Sequence, residues 1–309
     1  MASKLQIQKT FSKDAHIVLF KGNCLELLRQ VPDNTIKLIV TSPPYNIGKA
    51  YEKRMHISEY IEFQKQIIHE CVRVMKNDGS ICWQVGNYVD NGEIIPLDVL
   101  LYPVFAELKL KMRNRIVWHF GHGLHASKRF SGRYEVILWF TKNDQYTFNL
   151  DSVRVPQKYP EKKHFKGAKT GELSCNPLGK NPSDVWEIPN VKSNHIEKTI
   201  HPAQFPVELI ERLVLALTNE NDWTLDPFMG VGSTQVASIV HNRRSAGAEI
   251  MKEYYDLAFE RIRLAEKGEL QIRPMERPVF DPENKQKYVP PKRISLTKTT
   301  IELFESLEE

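Results

Sequence analysis

The feature that most narrows the possible folds lies late in the chain. An apolar run, Trp223-Thr224-Leu225, meets Asp226-Pro227, passes through Phe228-Met229-Gly230-Val231-Gly232, and enters a helix-compatible stretch at Ser233-Thr234. Glycines at such a strand-to-helix turn let the backbone bend tightly and approach a ligand, while the amides of the helix start favour its anionic part. A second strand ends at Glu249, 17 residues after Gly232. A carboxylate at a strand's carboxyl end can accept hydrogen bonds from both hydroxyls of a ribose. Together these describe a nucleoside-binding β-α-β unit. A tight turn followed by a solvated glutamate is the competing reading.

The rest of the chain alternates in the same way. Ile36 to Val40 is a buried strand that stops before Pro43-Pro44, where pairing cannot continue. Tyr60, Ile61, Phe63, Ile67, Ile68, Cys71, Val72 and Met75 recur at helical spacing over 58–75, with Ser58 and Glu59 suited to the start. After the turn Asn77-Asp78-Gly79 comes a strand from Ser80 to Val85. Further strands are expected over 115–120, 134–141, 223–226 and 245–250, and helices near 95–108, 205–218, 233–241 and 251–267. This predicts an α/β fold with a mostly parallel twisted sheet flanked by helices. Residues 142–204, rich in Lys, Asn, Gly and Pro, interrupt the pattern as a loop-rich insertion. Residues 272–293 hold five prolines and read as an extended arm, and 294–309 as a short amphipathic helix for packing or dimerisation.

A second loop carries chemistry. Thr41-Ser42-Pro43-Pro44-Tyr45 places a hydroxyl, a rigid proline pair and an aromatic ring at a strand's end. Ser42 and the Pro43 carbonyl can accept hydrogen bonds from an amino group while Tyr45 stacks on a planar ring, and a flipped nucleobase offers both. An ordinary proline-rich turn is the plainer alternative.

Composition limits the partners. With 41% hydrophobic and 26% charged residues, the chain is neither collagenous, disordered nor a disulfide scaffold. Its four cysteines are far apart and read as reduced thiols. No stretch approaches the roughly 20 apolar residues of a spanning helix, so no membrane partner and a cytoplasmic location are expected. The net charge of +5 is concentrated. Between Leu108 and Tyr134 stand seven Lys or Arg and no acid, with His119, His122 and His125; between Arg154 and Lys180 stand seven more against two acids. Such clusters suit phosphates, among them Arg115, His119, His122, Lys128, Arg129 and Arg133, although a solvated basic face would look the same. The histidines lack a neighbouring Cys or acid and lie among glycines, so a basic loop is expected there and no metal.

Taken together, these motifs resemble those of the S-adenosylmethionine-dependent DNA amino-methyltransferases, which modify N6 of adenine or N4 of cytosine. Thr41 to Tyr45 is similar to the family's catalytic motif and Asp226 to Gly232 to its cofactor motif. The catalytic motif comes first, as in the circularly permuted β class. Cys82 to Asn87, Tyr134 to Phe140 and His201 to Pro206 fall in the same order, and the resemblance spans about residues 18–265.

The resemblance implies a Rossmann-like methyltransferase with S-adenosylmethionine as cofactor and double-stranded DNA as substrate. Ser42, Pro43, Pro44 and Tyr45 are then the catalytic loop, and Asn23, His201, Gln204, Asp226, Phe228, Gly230, Gly232, Ser233 and Glu249 the cofactor set. Family members commonly have Asp at position 23 and Lys at position 205, where this chain has Asn and Phe. Residues 1–141 would be the catalytic part, 142–200 the target-recognition region, 201–267 the cofactor part and 268–309 a terminal arm. The resemblance further implies a type II restriction partner and allows a homodimer. A non-enzymatic DNA binder and an RNA-modifying enzyme are the alternatives, the latter against the motif order.

Overall fold

The computed structural model describes residues 5–49, 52–121, 123, 125–192 and 194–275. The expected helix over 294–309, and the arm beyond residue 275, lie outside the described residues.

In chain order the elements are β1 (Ile7–Gln8), β2 (Ile17–Lys21), α1 (Cys24–Gln30), β3 (Ile36–Thr41), α2 (Ile57–Val74), β4 (Met75–Val85), β5 (Asn87–Asp90), β6 (Glu93–Pro96) and α3 (Leu97–Glu107). There follow β7 (Lys111–His119), β8 (Tyr134–Thr141), β9 (Val185–Glu187), α4 (Val207–Leu217), β10 (Trp223–Asp226), α5 (Ser233–Val240), β11 (Arg244–Glu249) and α6 (Lys252–Glu266). Nine strands form one sheet in the order β1-β2-β11-β10-β3-β4-β8-β7-β9. All run parallel except β8, which is antiparallel to both its neighbours.

Both faces of this sheet are buried, which is why its strands read as apolar runs. Val18, Ile39, Ile81 and Trp83 pack under Leu27, Ile67, Ile68 and Phe105 of α1, α2 and α3. The alternate residues Ile17, Leu19, Leu38, Val40 and Cys82 pack with Leu213, Val236, Ala258 and Ile262 of α4, α5 and α6. The result is a three-layer sandwich whose parallel strands bring their carboxyl ends to one edge.

Several details differ from the sequence reading. Asn77-Asp78-Gly79 is not a turn between elements but part of a bulge inside β4, opposite the step from Ile36 to Leu38. Lys37, buried on β3, reaches into this bulge to Asp78 Oδ2 at 2.5 Å. The cap of α2 is His56, not Ser58: its Nδ1 accepts from Ser58 N at 3.4 Å, and Glu59 Oε2 accepts from His56 N at 3.2 Å. The hairpin β5–β6 turns on Asn91-Gly92, both at positive φ, a pair that favours tight hairpins. Within 142–204 the chain is mostly irregular, yet β9 pairs with β7 and joins the main sheet. No described helix is long and apolar enough to cross a membrane.

Candidate active site

The strand order gives the site its composition. β3 and β10 are neighbours, so the loops that follow Thr41 and Asp226, 185 residues apart in sequence, stand side by side. β11 and β2 add Glu249 and the Gly22-Asn23 turn at the same edge. Because β8 is reversed, its amino end, with Glu135, arrives there too. These segments line one cleft of about 520 Å³.

Ser42, Pro43, Pro44 and Tyr45 all line it, as do Asn23, His201, Gln204, Phe228, Gly230 and Glu249. Ser42 Oγ lies 3.0 Å from the Tyr45 hydroxyl, which donates to Glu135 Oε2 at 3.1 Å. Gln84 Nε2 donates to the same Glu135 oxygen. Burial pushes the Glu135 carboxyl up to about 7, and burial together with Glu135 raises the Tyr45 phenol well above its ordinary value. The Tyr45 ring packs against Gly86 so closely that a Cβ at position 86 would stand 3.0 Å from it, and a larger residue there would have to shift the ring by a few tenths of an ångström. Next to it, Asn46 at positive φ exchanges bonds with Met55, giving Nδ2 to its carbonyl at 2.8 Å and taking its amide at 2.7 Å. This clasp fixes where the Pro-Pro-Tyr segment leaves the cleft.

On the other side, Glu249 Oε1 accepts from Met251 N at 2.7 Å, and burial pushes its carboxyl up to about 7. Gly230 has φ +52, a left-handed conformation that favours glycine, and the His201 ring lies over this turn. His201 meets Tyr254 edge-on with ring centroids 4.4 Å apart, and burial lowers its imidazole to about 4. Asn23 caps α1 by accepting from Leu25 N at 2.9 Å. Gln204 is occupied at both ends: Oε1 accepts from Thr199 Oγ1 at 2.8 Å, and Nε2 donates to the Glu197 carbonyl at 2.9 Å.

Three residues of the expected cofactor set sit beneath the cleft rather than on it. Asp226 is fully buried and accepts from Thr41 Oγ1 at 2.6 Å, Thr234 Oγ1 at 2.7 Å and Phe228 N at 3.1 Å. It clamps the two motif loops together, and burial pushes its carboxyl up to about 6. Gly232 caps α5 at φ +75 close to Ala258, and Ser233 Oγ donates to the Phe205 carbonyl at 3.1 Å.

The basic residues divide as well. Arg115 gives Nε and Nη2 to Asp98 Oδ2 at 2.7 and 2.5 Å. Asp98 is buried on α3, and Arg115, itself about half exposed, pairs with this internal acid. The His119 carbonyl accepts from Ile188 N at 3.1 Å, which ties the end of β7 to the strand beside it. Lys128 and Arg129 are exposed beside a fully exposed Phe130, and Arg133 Nη1 donates to the Gly132 carbonyl at 3.0 Å. His122 lies outside the described residues. Among the described residues no group of three or more His, Cys, Asp or Glu stands together as a metal site.

Glu135, Gln84 and Tyr254 were not singled out from sequence. The signal for Glu135 was there: an acid opening an otherwise apolar strand, which in a buried sheet requires a partner.

A mostly parallel sheet with a cleft at its carboxyl edge, Glu249 on one wall and the Ser-Pro-Pro-Tyr loop on the other, is the arrangement of a nucleotide-binding α/β enzyme. Comparison with known proteins specifies which kind. The model of the DNA methylase family of N6 and N4 enzymes matches residues 36–260, and the chain belongs to that family. It is 52% identical over 255 residues to the type II methyltransferase M.BglII of Bacillus subtilis, covering 82% of this chain and 71% of that protein. With M.ScaI of Streptomyces caespitosus it shares 39% identity over 268 residues, 84% of this chain and 85% of the relative. Among solved structures, a putative DNA modification methylase of Thermus thermophilus in complex with S-adenosyl-L-methionine superposes with a TM-score of 0.58 at 26% identity, covering 81% of this chain and 94% of that one.

Proposed function

We propose that this DNA methyltransferase modifies N6 of adenine within a specific duplex sequence, protecting that sequence from a cognate restriction endonuclease. The observation that carries the reading is the single cleft in which Ser42 and Tyr45 face Gly230 and Glu249. Its size, the Glu249 carboxylate, the glycine turn and the rings of Phe228 and Tyr254 in its lining fit S-adenosylmethionine. Glu249 would hold the ribose, with Gly230, Phe228, His201 and Asn23 around the rest. Gln204, Asp226, Gly232 and Ser233 would act by shaping that wall. The bound cofactor supplies an electrophilic methyl group.

The protein's part is positioning. An exocyclic amino lone pair is delocalised into its ring, and hydrogen bonds from the amino group to Ser42 Oγ and the Pro43 carbonyl favour its localisation in the transition state. Ser42 orients and does not remove a proton, because a serine hydroxyl is a poor base at neutral pH. Tyr45 would hold the extruded base by stacking, a contact worth about 1–3 kcal/mol. Arg115 and His119 on β7, and His122, Lys128, Arg129 and Arg133 between β7 and β8, would meet the DNA.

In this reading residues 1–141 form the catalytic part, 142–200 the target-recognition region, 201–267 the cofactor part and 268–309 a terminal arm, with a cytoplasmic homodimer as the working assembly. In length and motif arrangement the chain is similar to the HindIII modification methyltransferase, which supports AAGCTT as the target. Ser42, where adenine enzymes more often carry Asp, favours N4 of cytosine as the second reading. Transfer of labelled methyl to duplex DNA, followed by nucleoside analysis, separates them. The expected product is N6-methyladenine, with kcat reduced about 100-fold or more in Ser42→Ala. N4-methylcytosine alone would overturn the base assignment, and no transfer by folded protein would overturn the function.

A further inference from the structure

One polar group in the cleft has no task in the reading above. Glu135 opens the reversed strand β8 and enters the rim opposite Ser42 and Tyr45. Its Oε2 accepts from the Tyr45 hydroxyl at 3.1 Å and from the Gln84 amide, and the same Tyr45 hydroxyl lies 3.0 Å from Ser42 Oγ. A phenol carries one hydrogen, a serine hydroxyl carries one, and an ionised carboxylate carries none. The Tyr45 hydrogen is therefore committed to Glu135. The bond between the two hydroxyls must then use the Ser42 hydrogen, donated to the Tyr45 oxygen. What Ser42 Oγ has left to offer the cleft is lone pairs alone.

We infer that Glu135 is a positioning residue: it fixes the direction of the hydrogen-bond chain Ser42–Tyr45–Glu135, so that Ser42 meets the target amino group only as an acceptor. The inference rests on the proposed role of Ser42. No covalent bond changes at Glu135 and no proton leaves the chain of three. With a protonated Glu135 the direction can reverse, Glu135 donating to Tyr45 and Tyr45 to Ser42. Ser42 would then point its hydrogen into the cleft against an amino group that is itself a donor. The carboxyl value of about 7, set by burial against the bonds from Tyr45 and Gln84, puts this reversal within the neutral range. The titratable group that faces Glu135 is Tyr45 after β3, which in turn lies within electrostatic reach of Tyr60 on α2, itself near Glu52 in the loop between them. Its strand neighbours contribute the neutral Gln84 and Trp118.

The test is a double-mutant cycle of Glu135→Gln and Tyr45→Phe, followed by methyl transfer to duplex DNA across neutral pH, with melting and cofactor affinity measured on every variant. Glu135→Gln is expected to lower kcat about tenfold, the worth of one net hydrogen bond, with KM for DNA, cofactor affinity and melting unchanged. The acid limb of kcat near pH 7 in the wild type should disappear in that variant. In Tyr45→Phe, where the chain is already cut, Glu135→Gln should add no further loss. Additive losses, a loss that tracks melting or cofactor affinity, or wild-type kinetics in Glu135→Gln would each overturn the inference while leaving the methyltransferase reading intact. Absence of transfer by the wild type would remove that reading first.

Discussion

Two regions of the molecule are built on opposite plans. Along β10, α5 and β11 buried polar side chains bond to each other: Thr224 Oγ1 lies 2.8 Å from both Ser238 Oγ and Ser245 Oγ, and Asp226 gathers three donors. From Arg154 to Lys180 the regular structure of the described chain is reduced to isolated bridges such as Lys163–Leu173 and His164–Thr170. There Tyr159, Phe165, Leu173 and Leu178 are exposed among the lysines. A small ligand of fixed shape is met by groups fixed in advance, which lowers the ordering cost of binding. A long charged polymer brings most of its own affinity through its phosphates, so the surface that meets it can remain loosely built.

Three experiments would break or sharpen that contrast. The largest effect is expected from Asp226→Ala, which leaves the Thr41 and Thr234 hydroxyls and the Phe228 amide without their acceptor and should lower stability to urea by about 3 kcal/mol. An unchanged midpoint would show that this region is not clamped as described. Next is Glu249→Ala, expected to weaken S-adenosylmethionine by about 2 kcal/mol in calorimetry. Its carboxyl, held at about 7 by burial, must be ionised to accept two ribose donors, so wild-type affinity should fall as pH drops through 7 and that dependence should vanish in the variant. Unchanged affinity would take Glu249 out of the cofactor site. The smallest effect belongs to the exposed Lys163 and Lys166. Replacing either by Ala should reduce the salt slope of DNA binding by about 1 while stability stays within about 0.5 kcal/mol. A clear drop in melting would mean that this stretch is as tightly built as the region around Asp226.

What was legible in the sequence follows the same divide. The loops after β3 and β10 are local signals, a proline pair or a glycine pair at the end of an apolar run, and the structure brings both to one edge. β2 and α1 were missed because five and seven residues give too short a pattern. The commitment of Arg115 to Asp98 was hidden because their partnership depends on α3 lying beside β7, which spacing does not encode. The acid at position 135 stood out at the start of an apolar strand, but its partner was hidden for a similar reason. Its meeting with Tyr45 requires β8 to lie next to β4 in the opposite direction, and the order of strands in a sheet is not written in any one of them.

That reversed strand also sets where the chain can gain or lose residues. Side chains alternate across a pleated strand, so one insertion or deletion within Tyr134–Thr141 would swing Glu135 to the opposite face and bring an apolar neighbour to Tyr45 in its stead. Beyond the bond from Phe120 N to the Arg133 carbonyl, the preceding stretch, 121–132, is a surface connection with no such ladder among its described residues. A segment whose length is locked thus begins where one free to drift leaves off, and descendants of this chain can remodel the connection between β7 and β8 without disturbing Glu135 and the groups bonded to it.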